Sequence, residues 1–193
     1  MVKKERRETL QAAVQQVAAE PPQTWDLTSL FQHHQKTVYW AAYRVTGSEA
    51  DAEDVLQTVF TRLSRREELP DFSGNPKAYL KRAAVNASLD VLRSRKPGRT
   101  VALSDIEGFL SGRENERPDR QQSSAEFRDW LRNAIGQLSP RAAEVFTLRF
   151  LEGYGNHEIA KMLGTSQSTI AVTLHRTRNR LRHQLEDFFG GTI

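Results

Sequence analysis

The chain has 193 residues, enough for one large domain or two small ones, with 38% hydrophobic residues, a formal net charge of +4 and no cysteine. No apolar run approaches the ~18 residues that cross a bilayer, and without cysteine there are no disulfides or thiolate metal sites. The small positive excess leans toward an anionic partner, and its distribution says more than its mean.

The first segment, 1–25, can place Leu10, Ala13, Val14 and Val17 on one helical side, and Pro21-Pro22 separate it from the rest of the chain. It is charged and lacks the apolar centre of a secretory signal, so the chain is expected in the cytoplasm, and this extension reads as a mobile arm, with a contact to another macromolecule or a docking point for an inhibitor as the alternatives. From about residue 26, apolar residues recur at three- and four-residue steps and strict alternation is rare, which predicts an all-α fold. The first helix places Leu30, His34, Val38, Ala42 and Val45 near one stripe, widened by Phe31 and Ala41, and ends at Gly47. Ser48 caps the next, with Asp51 in its first turn, where a carboxylate favours the helix dipole. That helix buries Ala52, Val55, Leu56, Val59, Phe60 and Leu63.

Pro70, Ser73, Gly74, Asn75 and Pro76 mark a loop, and Asn75-Pro76 is a cap followed by a residue suited to the first helical position. The third helix runs to about Arg95 with Leu80, Ala83, Ala84, Ala87 and Val91 as its buried stripe, and stops before Pro97-Gly98. Over 100–124 the pattern dissolves into Gly, Ser, Gln and charge, and Asp105, Glu107, Glu114, Glu116 and Asp119 make this an acidic linker. Helices resume with Phe127, Leu131, Ile135 and Leu138 on one face. Ser139-Pro140 opens another that ends at Gly153, Asn156 caps a short one ended by Gly164, and Ser166 opens the last. The fold expected is two small helical domains, 26–99 and 125–189, joined by the flexible linker 100–124, with a tail at 190–193.

The pair of helices separated by "LGTS" has the form of a helix-turn-helix. Ala160 is small where the helices cross, Gly164 takes the positive φ of the turn, and Ile170 points back into the crossing, with Leu163 and Leu174 completing the apolar side. From Ile159 to Leu185 there is no acidic residue, while Lys161, Arg176, Arg178, Arg180 and Arg182 all fall there. In such motifs the second helix enters the major groove, where duplex DNA carries one phosphate charge per ~1.7 Å of axis and repels any carboxylate. Ser166, Gln167, Ser168, Thr169, Val172 and His175 suit base edges, and Arg176, Arg178 and Arg180 suit phosphates. A solvated basic helix face is the plainer explanation, and the Ala–Gly–Ile spacing favours DNA.

The other half resembles a known family. "GSEADAEDVLQTVFTRL", Gly47 to Leu63, and "NPKAYLKRAAVNASLDVLRSRKP", Asn75 to Pro97, are similar to region 2 of bacterial sigma factors of the extracytoplasmic-function (ECF) group in the sigma-70 family. The segment from Leu131 to Arg182 resembles their region 4. The resemblance implies that the chain directs core RNA polymerase to promoters, with the first domain binding polymerase and melting the −10 element and the last reading the −35 element as duplex. Asp51, Glu53, Asp54 and Gln57 match positions that dock on the clamp coiled coil of the β′ subunit, though the acidic residues also favour their own helix N-terminus. The loop from Glu67 to Lys77 matches one that captures an unstacked −10 base, which brings in Phe72, Ser73 and Asn75, although Phe72 serves equally well as packing. Lys77, Lys81, Arg82, Asn86 and Arg93 come next as a −10 DNA face, with Asn86 and Asp90 sharing a helix side. In the family the linker runs toward the active-site cleft and RNA exit channel, where acidity has a use; a flexible spacer explains it equally well. One departure is Tyr79-Leu80 followed by Ala83-Ala84, where the family often has Trp-Leu and a large aliphatic.

The expected partners are the β and β′ subunits of core polymerase, promoter DNA and an anti-sigma factor, with no membrane insertion. A stand-alone helix-turn-helix regulator is the competing reading, and a polymerase adaptor a third; neither explains the acidic helix, the Phe72 loop and the basic helix together. His33 and His34 point to different helix faces, His157 stands alone, and no nucleophile motif or phosphate loop appears, so no catalytic residue, metal site or cofactor is assigned.

Overall fold

The computed structural model describes residues 25–72, 74–95 and 118–188, with the side chains of 118–124 left aside. The extension 1–24, Ser73, most of the linker and the tail lie outside the described residues. Seven α-helices and no strand occur among the residues described: α1 Leu27–Thr46, α2 Glu49–Ser64, α3 Pro76–Ser94, α4 Pro118–Gly136, α5 Pro140–Phe150, α6 Asn156–Met162 and α7 Gln167–Phe188.

The helix starts obey their caps. The Asp26 carboxylate accepts from Ser29 N (2.6 Å) at α1, Ser48 Oγ from Asp51 N (3.3 Å) at α2, and Asn75 Oδ1 from Ala78 N (3.0 Å) at α3. Two boundaries differ from expectation. Gly155, not Asn156, caps α6, and Glu158 Oε2 accepts from Gly155 N (2.7 Å) to hold that turn. Helix α4 begins at Pro118, inside the stretch that reads as linker, because charge and polar composition hide a helix without an apolar stripe at its start.

Helices α1 to α3 enclose a core of Leu30, Val38, Ala41, Ala42, Ala52, Val55, Val59, Phe60, Leu63, Leu80, Ala84 and Ala87. Phe31, assigned to the buried stripe, is 40% exposed and lays its edge on Phe60 at 5.0 Å. Leu56, Ala83 and Val91 are only partly buried.

The second core joins Ile135, Leu138, Val145, Leu148, Ile159, Ile170 and Leu174 of α4–α7 to Val45 of α1 and Val85, Leu89 and Leu92 of α3. Helix α3 is therefore buried on two faces, and one stripe, Val85–Leu89–Leu92, goes unassigned from sequence alone. The two helical units share this core. Gly136 lets α4 close on α3: a Cβ there would lie 3.4 Å from the Leu92 carbonyl oxygen. Each half is small for a core of its own. Each fully buried Val or Leu contributes roughly 1.5–3 kcal/mol, so this stripe outweighs any exposed ion pair at about 0–1 kcal/mol.

Candidate nucleic-acid and polymerase interfaces

Helices α6 and α7 cross on Ile159, Ala160, Ile170 and Leu174, all buried, with Leu163 packed against them. Gly164 takes φ +60° in the turn, and Thr165 N donates to the Ala160 carbonyl at 3.0 Å. Ser166 Oγ accepts from Thr169 N at 3.1 Å and lies 2.8 Å from both Ser168 Oγ and Thr169 Oγ1. This is a helix-turn-helix with a capped second helix. Its outer face carries Ser166, Gln167, Ser168, Thr169, Val172, His175, Arg176, Arg178 and Arg180, and every one of these nine is exposed. Val172, apolar yet 50% exposed, has no protein cover of the kind its residue type normally takes. His175 Nε2 lies 3.2 Å from Asn179 Nδ2, which orients the ring along the helix. The basic, carboxylate-free face is thus presented whole.

On α2, Glu53, Asp54 and Gln57 are exposed together, while Asp51 is half-buried and paired with Arg95. Arg95 also donates to the Thr46 carbonyl at the end of α1, so Asp51 fixes the C-terminal end of α3 against the α1–α2 corner. The four residues do not form one equivalent set: three face outward and one ties the bundle.

The third surface differs most from expectation. Phe72 packs edge-on against Tyr79 (5.3 Å) and is half-buried, and Asn75 is the α3 cap; Ser73 lies outside the described residues. Lys77 is exposed, and Arg93 pairs with Asp90 at 3.2 Å. Lys81, Arg82 and Asn86 meet the C-terminal unit. Arg82 Nε donates to Glu144 Oε1 (2.8 Å) and its Nη1 to the Met162 carbonyl (3.0 Å), while Asn86 Nδ2 donates to Glu144 Oε1 (3.1 Å). Lys81 Nζ lies 2.9 Å from Glu152 Oε2, and Arg44 grips the same carboxylate with two bonds of 2.8 Å. The Glu152 side chain has no exposure, and Lys81 stands 5.2 Å from the centre of the Tyr154 ring. Burial first, then the Glu152 charge, raises the Tyr154 phenol above its ordinary range. Asn86 and Asp90 share a side of α3 but take different partners, Glu144 and Arg93.

Arg132 of α4, its side chain nearly covered, lies over Gly47, where a Cβ would meet its guanidinium at 2.4 Å. Burial lowers its pKa to about 10 against the pull of Asp129 at 3.4 Å. Sequence reasoning misses Arg44, Arg132, Glu144 and Glu152. A signal for Glu144 exists: it lies in the run Ala143–Leu148, buried at every position, and a carboxylate inside such a run needs a cation or donor from elsewhere.

Two family models match the chain, "Sigma-70 region 2" over residues 30–97 and "Sigma-70, region 4" over residues 128–181. Among curated relatives, the ECF RNA polymerase sigma factor SigE of Mycolicibacterium smegmatis is 30% identical over 84% of this chain, which spans 62% of that protein. The RNA polymerase sigma-E factor of Streptomyces antibioticus is 34% identical over 70% of this chain and 71% of its own length. The ECF RNA polymerase sigma factor SigL of Mycobacterium tuberculosis is 28% identical over 83% of this chain and 89% of its own. The region 2 match accounts for the half that a stand-alone helix-turn-helix regulator leaves unexplained.

Proposed function

Since the chain belongs to the ECF group of sigma-70 family RNA polymerase sigma factors, we propose that it directs core RNA polymerase to specific promoters with a fixed division of labour. The exposed face of α7 reads the −35 element as duplex. The exposed Glu53, Asp54 and Gln57 of α2 contact the clamp coiled coil of β′, and the Phe72 loop with α3 contacts the −10 element. The site of action is the bacterial cytoplasm, where core polymerase and promoter DNA meet; no helix among the described residues is long and apolar enough to cross a membrane. An anti-sigma protein is the inhibitory partner that membership of this group suggests.

The observation that carries the −35 assignment is the face formed by Ser166 and eight residues of α7, exposed throughout and free of carboxylates. Small hydroxyl and amide groups stand at the N-terminal end, where base edges are met, and arginines succeed them where the backbone passes. The α2 assignment rests on outward-facing carboxylates that suit arginines of an opposing surface. The test is permanganate probing of a promoter fragment. Unpaired thymines in the −10 region should appear only with this protein and core polymerase together; thymines opened by the protein alone, or by core alone to the same extent, would overturn the assignment.

A further inference from the structure

Helix α7 carries one side-chain pair that the sequence pattern leaves without a role. Asn179 lies one turn beyond His175 and is exposed like it, and its Nδ2 stands 3.2 Å from His175 Nε2. Asparagine is a weak helix former, yet this one sits in the middle of a 22-residue helix. Its amide nitrogen can only donate. The ring nitrogen it meets must therefore accept, and a neutral imidazole that accepts at Nε2 carries its proton at Nδ1. A free imidazole side chain in water favours the other arrangement, with the proton at Nε2. Asn179 thus sets the ring against its intrinsic preference.

The surroundings supply no competing restraint. Beside His175 runs a cleft of about 260 Å³, walled by Arg149 and Phe150 of α5 and Asn156 of α6 on one side and by α7 with Arg178 on the other. The charged groups there are cations, Arg149 and Arg178, with Arg176 next along the helix; no carboxylate lines the cleft, and α7 has none before Glu186. Among the described residues the ring makes no second hydrogen bond. Which nitrogen carries the proton is therefore decided by Asn179, and it determines what the ring offers DNA. Protonated at Nδ1, with Nε2 occupied, the ring presents a donor. In the major groove guanine offers two acceptors, N7 and O6, whereas cytosine offers only its N4 amino donor; the opposite tautomer would reverse the choice.

Resting on the −35 reading proposed for the α7 face, we propose that Asn179 is a positioning residue for promoter selectivity. It holds His175 in the Nδ1–H tautomer, and His175 then takes guanine and refuses cytosine at one base pair of the −35 element. One hydrogen bond of this kind supports a guanine-over-cytosine preference of about three- to tenfold.

The experiment uses the full chain and has two readouts. The first needs no DNA. Proton–nitrogen correlation spectra of isotopically labelled histidine rings, recorded at about pH 8, where imidazoles are neutral, should show the His175 ring protonated at Nδ1. Its signals are assigned by their loss in His175→Gln. Asn179→Ala, a change at an exposed position, should return the ring to the Nε2-protonated form. The second readout is binding at low salt to −35 duplexes in which each base pair is permuted in turn. The wild-type chain should favour guanine over cytosine about three- to tenfold at one position. Both His175→Ala and Asn179→Ala should bring that ratio within about twofold, while preferences elsewhere in the element persist. A wild-type ring protonated at Nε2, a preference unchanged by Asn179→Ala, or a loss spread equally over every position overturns the proposal and leaves the −35 assignment standing. A wild-type chain that does not distinguish a −35 duplex from one of scrambled sequence overturns the −35 assignment beneath it.

Discussion

Asp54 and Gln57 lie three residues apart on α2, exposed on the same side, with Glu53 beside them. Neither is needed for the bundle core, so Asp54→Ala with Gln57→Ala should leave the unfolding transition in place and weaken core polymerase binding at least tenfold in a fluorescence titration. Unchanged affinity would remove α2 from the interface. Asp51 behaves differently: its pairing with Arg95 makes it part of the α1–α2–α3 corner, so its removal should cost fold stability first. At the other end, Arg176 is exposed with no acidic neighbour in α7 before Glu186. Arg176→Ala should weaken −35 duplex binding about equally across sequences and lower the slope of log K against log salt by about one, if the side chain meets a phosphate. A loss confined to one base pair would assign it to base reading instead. These roles are legible from residue type and spacing. The contacts of Lys81, Arg82 and Asn86 with the C-terminal unit are not, since a basic residue facing DNA and one facing a buried Glu look alike in a one-dimensional pattern.

The helix-turn-helix is the most legible element because its crossing tolerates few residue types. Gly164 sits at φ +60°, a conformation that costs an ordinary L-residue about 1–2 kcal/mol and a β-branched one at least that much. Gly164→Val should therefore lower the stability of the chain by about 1–2 kcal/mol in urea unfolding and reduce −35 binding in parallel; a neutral result would mean that the turn rearranges. Helix α1 carries a pH dependence. His34 is half-buried, packs 5.4 Å from the Trp25 ring and has its Nε2 covered without a partner. Burial first, then His33 and Lys77, lowers its pKa below the usual 6.5. The unfolded chain then binds the proton more readily, so the contribution is fully present above pH 6.5 and is lost as pH falls toward the folded value. Thermal midpoints should decline between about pH 7 and 5, and His34→Phe should flatten that decline; an equal decline in both chains would locate the titration elsewhere. Helix α3 is half legible. Its first stripe can be read from Leu80, Ala84 and Ala87, but Val85, Leu89 and Leu92 have meaning only once a second unit is there to cover them.

At the scale of the whole molecule, two units too small to be comfortable alone share one core across α3, with Arg132 laid over Gly47 and Gly136 set close against Leu92. Order and composition reveal two units. They do not reveal the contact, because the residues that make it, Glu144 and Glu152 against Arg44, Lys81 and Arg82, are separated by scores of positions and have no local signature. The α4 start is hidden for a local reason, its polar first turns. A sigma factor must bring promoter selectivity to a polymerase that lacks it. That property is tested most directly by in vitro transcription with purified core polymerase on a promoter library randomised across the −35 and −10 regions. RNA starts should appear only when this protein is added, and the recovered templates should share one motif in each region, with the upstream motif lost in the chain carrying Arg176→Ala and Gln167→Ala. Equal RNA synthesis without the protein, or templates that share no motif, would contradict the assignment.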